Sequence, residues 1–230
     1  MKAKIIVFSQ QGSTRAIAED IASGIRMAGN DCELADLTDT DPSHPGVCDL
    51  MAIGCPVFYF KEPFNVADFM EALPQGDGKH AFVFVTHGAT PAGTLASMWE
   101  RLANKGYQVL GAFRSYADSH QIPIYPSPTH THGHPDEQEH SEAIAFGQKM
   151  AEISRQVNAG ETDLIPEPII APEGWWTERA VELSQEVLLE MMPKFAINLD
   201  RCTQCLDCET ACPVDGIAIV EAPPVSRSLA

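Results

Sequence analysis

Apolar runs rich in valine, isoleucine and phenylalanine alternate along this chain with segments in which apolar residues recur every three to four positions. The first run, AKIIVF at 3–8, predicts a strand, and STRAIAEDIASGIRMA at 13–28 predicts an amphipathic helix. The unit then repeats. CELADL (32–37) reads as a second strand and LMAIGCP (50–56) as a third, ahead of the helical FNVADFMEAL (64–73). HAFVFVT (80–86) reads as a fourth strand ahead of AGTLASMWERLANKG (92–106), and YQVLGAF (107–113) as a fifth. A last helix fits HPDEQEHSEAIAFGQKMAEISRQV, with Pro135 in its first turn and acidic residues after it at the positive end of the dipole. Five strands alternating with helices predict an α/β, doubly wound parallel sheet covered on both faces, over residues 1–158.

The pattern changes at AGETDLIPEPIIAPEG (159–174), whose three prolines and lack of periodicity predict an extended linker. WWTERAVELSQEVLLEMM follows, with Trp176, Ala180, Leu183, Val187, Leu188 and Met191 on one stripe, as a single docked amphipathic helix requires. Trp175 and Trp176 are read as helix packing rather than as a cofactor lid. Residues 159–193 thus form a linker and connecting helix. Residues 194–230 form a small α+β segment, in which FAINL and GIAIV are expected to pair as short strands.

Composition narrows the function classes. With 230 residues, 44% of them hydrophobic, the chain can bury a full core, and no run approaches the roughly 18 apolar residues of a spanning helix. MKAKIIVF passes into a strand without a cleavage site, so a cytoplasmic location is expected. A net charge of −17 repels phosphate backbones and anionic lipid, which argues against nucleic acid and membrane surfaces as partners. Cys32, Cys48 and Cys55 are scattered and read as free thiols of the core.

A doubly wound sheet does its chemistry at the carboxyl ends of its strands, so the loop after the first strand is diagnostic. Here it is SQQGSTRAIA, Ser9 to Ala18. It lacks the glycine pattern of dinucleotide domains and the Gly-Lys-Ser/Thr ending of triphosphate loops. Ser9, Gln10, Gln11, Gly12, Ser13 and Thr14 instead offer hydroxyls, a flexible turn and free N–H groups at a helix start, which suit one phosphate monoester. Ile5, Ile6, Ser9, Gly12, Thr14 and Ala18 follow the flavodoxin phosphate-loop pattern, which this chain resembles, with Val7 where an aromatic is usual and Gln10, Gln11 and Ser13 in place of Gly, Thr and Asn. The resemblance implies a flavodoxin-like fold and bound FMN. It also implies that aromatics after the third strand, among Pro56, Val57, Phe58, Tyr59 and Phe60, stack on the isoalloxazine ring. Thr86, His87, Gly88 and Ala89, after the fourth strand, are small and polar enough for backbone to approach its polar edge.

Two clusters remain. THTHGHPDEQEH holds His130, His132, His134 and His140, and although a zinc site is conceivable, Gly133 and Pro135 break any shared face, so structural or solvated roles are expected. CTQCLDCETACP at 202–213 has the spacing C-x2-C-x2-C-x3-C-P, which suits a 4Fe-4S cluster rather than the separated knuckles of structural zinc. The surroundings resemble half of a bacterial-type ferredoxin, and the whole chain resembles the flavodoxin-ferredoxin fusions. That resemblance makes Cys202, Cys205 and Cys208 ligands of one cluster and Cys212 a ligand whose target is open, because in two-run ferredoxins the fourth cysteine serves the other cluster. No second run follows, so the sequence is expected to be C-terminally shorter than two-cluster relatives. The function expected is an iron-sulfur flavoprotein passing electrons between the cluster and FMN, with a redox protein or a small electron acceptor as partner and a homodimer as a possible assembly. An NAD(P)H-dependent quinone or flavin reductase and a non-redox structural module are the rivals.

Overall fold

The computed structural model describes residues 1–119, 131–191, 197–212, 217–218 and 225–226. It divides into two compact units, Met1–Gln185 and Glu186–Ala230. In the first, strands β1 (Lys2–Val7), β2 (Asp31–Asp36), β3 (Leu50–Pro56), β4 (His80–His87) and β5 (Gln108–Tyr116) form one parallel sheet in the order β2-β1-β3-β4-β5. The helices are α1 (Ser13–Met27), α2 (Phe64–Ala72), α3 (Thr94–Asn104) and α4 (Glu137–Asn158).

Alternation along each strand sorts the core into two layers. Ile6, Ile53, Val83 and Val85 face one way and pack with Val66, Phe69 and Met70 of α2 and Met98 and Leu102 of α3. Ile5, Val7, Ala52, Phe82 and Phe84 face the other way, onto Ile17, Ile21 and Ile25 of α1 and Ala143, Met150 and Ala151 of α4. Burial on both faces explains why β3 and β4 read as unbroken apolar runs.

Two sequence expectations need correction. Pro135 lies before α4 rather than in its first turn: Asp136 is the cap, accepting from the N–H groups of Gln138 and Glu139 while Glu139 accepts from the Asp136 N–H. The segment after Gly174 forms two helices, α5 (Trp175–Glu182) and α6 (Gln185–Met191), broken at Leu183 and Ser184. Of the expected stripe only Leu183 is buried, whereas Trp175 and Trp176 are 58% and 46% exposed and meet Phe60, the Trp176 ring at 4.8 Å. A heptad-like stripe marks the side a helix can bury, and a chain that turns after eight residues need not bury it.

The second unit contains a helical turn at Leu199–Arg201, α7 (Asp207–Thr210) and an antiparallel pair, β6 (Ile217–Ala218) with β7 (Val225–Ser226). Part of GIAIV therefore pairs with the chain that follows it. Ile197 and Asn198 of FAINL are not in a strand; Phe195 and Ala196 lie outside the described residues. Among the described residues no helix is long and apolar enough to cross a membrane.

Candidate functional site

Strand order reverses at β1, with β2 on one side and β3 on the other, so the loops leaving β1 and β3 diverge and open a crevice at their carboxyl ends. A cavity of about 310 Å³ lies there. It is lined by Ser9, Gln10, Gln11, Ser13 and Thr14 from the first loop, Pro56, Val57, Phe58 and Tyr59 from the third-strand loop, and Thr86, His87 and Gly88 from β4 and beyond. Gly12, Phe60 and Ala89 are not in its wall. Gly12 is the N-cap of α1, Phe60 faces a different cavity, and Ala89 lines a third beside Arg114 and Glu142. Ala117, Asp118 and Ser119 complete the wall and escaped the sequence reading. They follow β5, which runs to Tyr116, three residues beyond its expected end, and so come to the same sheet edge.

The first loop presents an anion cradle. Gly12 has φ +91, a left-handed conformation that turns the chain sharply into α1. No side chain caps that helix and no acidic residue stands in its first turn. The Arg15 N–H donates to Ser9 Oγ at 3.3 Å, and the Thr14 and Thr86 hydroxyls bond each other at 2.7 Å, tying the helix start to the end of β4. Among the described residues no side chain caps the other N–H groups that make up the positive end of the α1 dipole, unlike those of α4, whose capping box is complete.

The opposite wall is aromatic. Phe58 and Lys61 exchange backbone hydrogen bonds of 2.9 and 3.2 Å around Tyr59 and Phe60, whose φ angles are +49 and +71. A turn of this kind ordinarily takes Asn-Gly, so two aromatics in it store strain of about 1–2 kcal/mol per residue. The turn places Phe58 edge-on to Phe8, with ring centroids 6.5 Å apart.

His87 stands between this cavity and the one lined by Ala89. It is 5% exposed, its ring meets Tyr116 at 4.7 Å, and Nδ1 has no partner among the described residues. Burial, reinforced by Arg114, pushes its pKa down to about 4, so the ring is neutral at pH 7. Between that value and the ordinary 6.5 the unfolded chain binds a proton that the folded one refuses, so stability rises with pH across this window and is lost as pH falls. His80, lowered by burial, adds the same sign, while His134, raised by Glu139, opposes it. Urea titrations from pH 4 to 7 are therefore expected to show a shallower rise in His87→Gln than in the parent; equal slopes would contradict the assignment.

The described histidines of the THTHGHPDEQEH stretch pair with carboxylates. His132 meets Asp118 at 2.9 Å, His134 meets Glu139 at 2.7 Å, and His140 pairs with Asp20, while His130 lies outside the described residues. His134, Asp136 and Glu139 come within 4.8 Å of one another, but the Glu139 oxygens already accept from His134 and from the N–H groups of Asp136 and Tyr116. That cluster is a helix cap.

In the second unit Cys202 and Cys212 are half-buried and Cys205 and Cys208 exposed. Gln204 and Leu206 have φ of +55 and +68, so the chain curls left-handed twice between Cys202 and Cys208.

The family described as 4Fe-4S binding domain matches residues 194–219, which hold all four of these cysteines. The flavodoxin of Megasphaera elsdenii is 26% identical over 115 residues, 47% of this chain and 81% of that protein. An archaeal flavodoxin superposes with TM-score 0.54 at 22% identity, covering 67% of this chain and 99% of that one. Oxidised flavodoxin 1 from Bacillus cereus superposes with TM-score 0.52 at 21% identity, covering 66% and 98%. The first unit is thus a flavodoxin-like domain. The 4Fe-4S binding domain match follows it in the chain, an order similar to that of flavodoxin-ferredoxin fusions.

Proposed function

We propose that the protein is an iron-sulfur flavoprotein that exchanges electrons between a 4Fe-4S cluster and FMN in metabolism of an anaerobic type. The observation carrying this reading is the uncapped start of α1, which faces a 310 Å³ cavity with an aromatic wall in a chain that also bears the four-cysteine run. The donor set fits the group: hydroxyls and helix N–H groups for a phosphate, and no carboxylate in the first turn to repel it. When bound, FMN and the cluster supply the one- and two-electron chemistry. Ser9 to Thr14 would hold the phosphate, Phe58 and Tyr59 would wall the ring, and the Thr86–Gly88 backbone would approach its polar edge. His87, held neutral, adds no charge there. Cys202, Cys205 and Cys208 would hold the cluster, with Cys212 a further ligand whose target is open. The partner is a redox protein or a small electron acceptor.

Anaerobic reconstitution with FMN, iron and sulfide tests this reading. The expected protein carries flavin near one equivalent, and the flavin bleaches when the cluster is reduced. Bleaching by NADH alone would favour a reductase, and absence of flavin binding would sink the proposal. Gly12→Val should weaken FMN binding at least about tenfold, because a β-branched residue is strained at positive φ and the loop must re-form away from the phosphate. Unchanged flavin affinity in that variant would remove the phosphate cradle from the argument.

A further inference from the structure

The wall residues Ala117, Asp118 and Ser119 follow β5, which is an edge strand, so the sheet holds the end of β5 from one side only. Much of what fixes them comes from outside the sheet. The Ala117 N–H donates to the His87 carbonyl at 3.0 Å, but the Asp118 N–H donates to the His134 carbonyl at 2.8 Å, and Asp118 Oδ2 meets His132 Nδ1 at 2.9 Å. Asp118 therefore hangs from the turn at 131–134, which the His134 N–H closes on the Thr131 carbonyl at 3.2 Å.

Glu139, 8% exposed, anchors that turn. Its Oε1 accepts from the N–H of Tyr116, the last residue of β5, at 3.1 Å. Its Oε2 accepts from the Asp136 N–H at 2.7 Å and meets His134 Nδ1 at 2.7 Å. One carboxylate thus joins the end of β5, the cap of α4 and the turn that carries Asp118. A carboxylate suits this task because both its oxygens take charge-assisted bonds, whereas an amide in its place offers one acceptor oxygen to three donors.

We propose that Glu139, which is not in the wall of the strand-end cavity, is a positioning residue for that cavity, holding Ala117–Ser119 where a bound flavin meets them. The inference rests on the FMN reading of the cavity and adds to it a residue outside the wall. The clamp also differs from plain packing in its response to pH. Glu139, supported by Asp136 and Asp118, raises the His134 pKa above the ordinary 6.5, so the charged pair is complete below that value and is lost as pH rises through the raised one. The charged and titratable groups around the pair are Asp136 at the cap, Glu142 of α4, Arg114 of β5, His87 of β4, which stays neutral, and His132 on Asp118. A wall held in this way takes the flavin more firmly below the His134 titration than above it.

Fluorescence titration of the full-length protein, freed of flavin, with FMN from pH 5.5 to 8.5 tests this. The FMN phosphate itself titrates near about pH 6 and acts alike on parent and variants, so the ratio of their affinities isolates the clamp. His134→Gln is expected to bind FMN roughly threefold more weakly than the parent at pH 5.5 and equally at pH 8.5, an effect within the range of one hydrogen bond. Glu139→Gln should be weaker by roughly threefold to tenfold at pH 5.5, with a ratio to the parent that shrinks as pH rises. If Glu139→Gln does not fold, the parent decides: its His134 ring, followed by nuclear magnetic resonance, should titrate at higher pH with FMN bound than without, because the coupling is reciprocal. Weakening by one constant factor across the whole range would mark Glu139 as structural and overturn the proposal. So would variants that match the parent throughout, or a His134 midpoint that FMN does not move. A parent that takes no FMN at any pH overturns the reading beneath it, and the proposal with it.

Discussion

Gly147→Val is expected to destabilise the flavodoxin-like unit by at least about 3 kcal/mol, the upper part of the range for overpacking, because the obstacle is backbone. A Cβ at Gly147 would stand 2.1 Å from the Ile21 carbonyl oxygen, and one at Gly24 would stand 2.0 Å from the carbonyl oxygen of Ile144. Helices α1 and α4 therefore cross main chain against main chain, each offering a glycine to the other's carbonyl. A side-chain neighbour could swing aside, but a carbonyl inside a helix cannot without breaking its own hydrogen bond. The helices would have to separate, opening the layer of Ile17, Ile21, Ala143 and Ala151 to water. Glycine inside a helix is itself unfavourable by about 1 kcal/mol against alanine, so close approach is the physical reason for these two. At roughly 2–4 °C per kcal/mol for a chain of this size, thermal unfolding followed by circular dichroism should move down by about 6–12 °C or more. A melting temperature within a degree of the parent would show that the helices do not meet as closely as described. Because α1 begins with the phosphate cradle, the same variant should also hold FMN less well.

How much of this was legible before the fold was known depends on the range of the interaction involved. Strand and helix identities in the first 158 residues follow from local periodicity, and β3 and α1 lie within a residue of where the pattern puts them. The strand-end rule then gathered most of the cavity wall, since it needs only element order. It missed Ala117, Asp118 and Ser119, because a polar ending in RSY hid the last three residues of β5. Position within a loop was harder still. Tyr59 and Phe60 are adjacent, yet the tight turn sends Tyr59 to the candidate flavin cavity and Phe60 to the other. The pairing of Glu62 carried no signal at all: its partners Ser97 and Arg101 lie 35 and 39 residues on, where periodicity alone cannot bring them to it. Cys55 is the reverse case, a thiol inside the flavin-loop sequence that is fully buried against Met98 and so out of reach of a cluster.

The cysteine run supports a prediction that separates its members. Cys208→Ala should abolish cluster assembly, because Cys202, Cys205 and Cys208 sit at successive two-residue gaps and a cubane deprived of one of the three retains too few thiolates to persist. The left-handed residues Gln204 and Leu206 lie within those gaps. Cys212 stands differently: it follows α7, with its N–H donating to the Glu209 carbonyl at 3.3 Å, and precedes the proline that in two-run ferredoxins marks the ligand of the other cluster. Cys212→Ala is therefore expected to retain iron and sulfide, with an altered and more oxygen-labile cluster whose reduced-state paramagnetic resonance signal changes shape but persists. Iron and sulfide analysis of the two variants beside the parent, all purified anaerobically, gives the answer. If Cys212→Ala loses its iron as completely as Cys208→Ala, then Cys212 completes the cluster of its own run and the three-cysteine assignment fails.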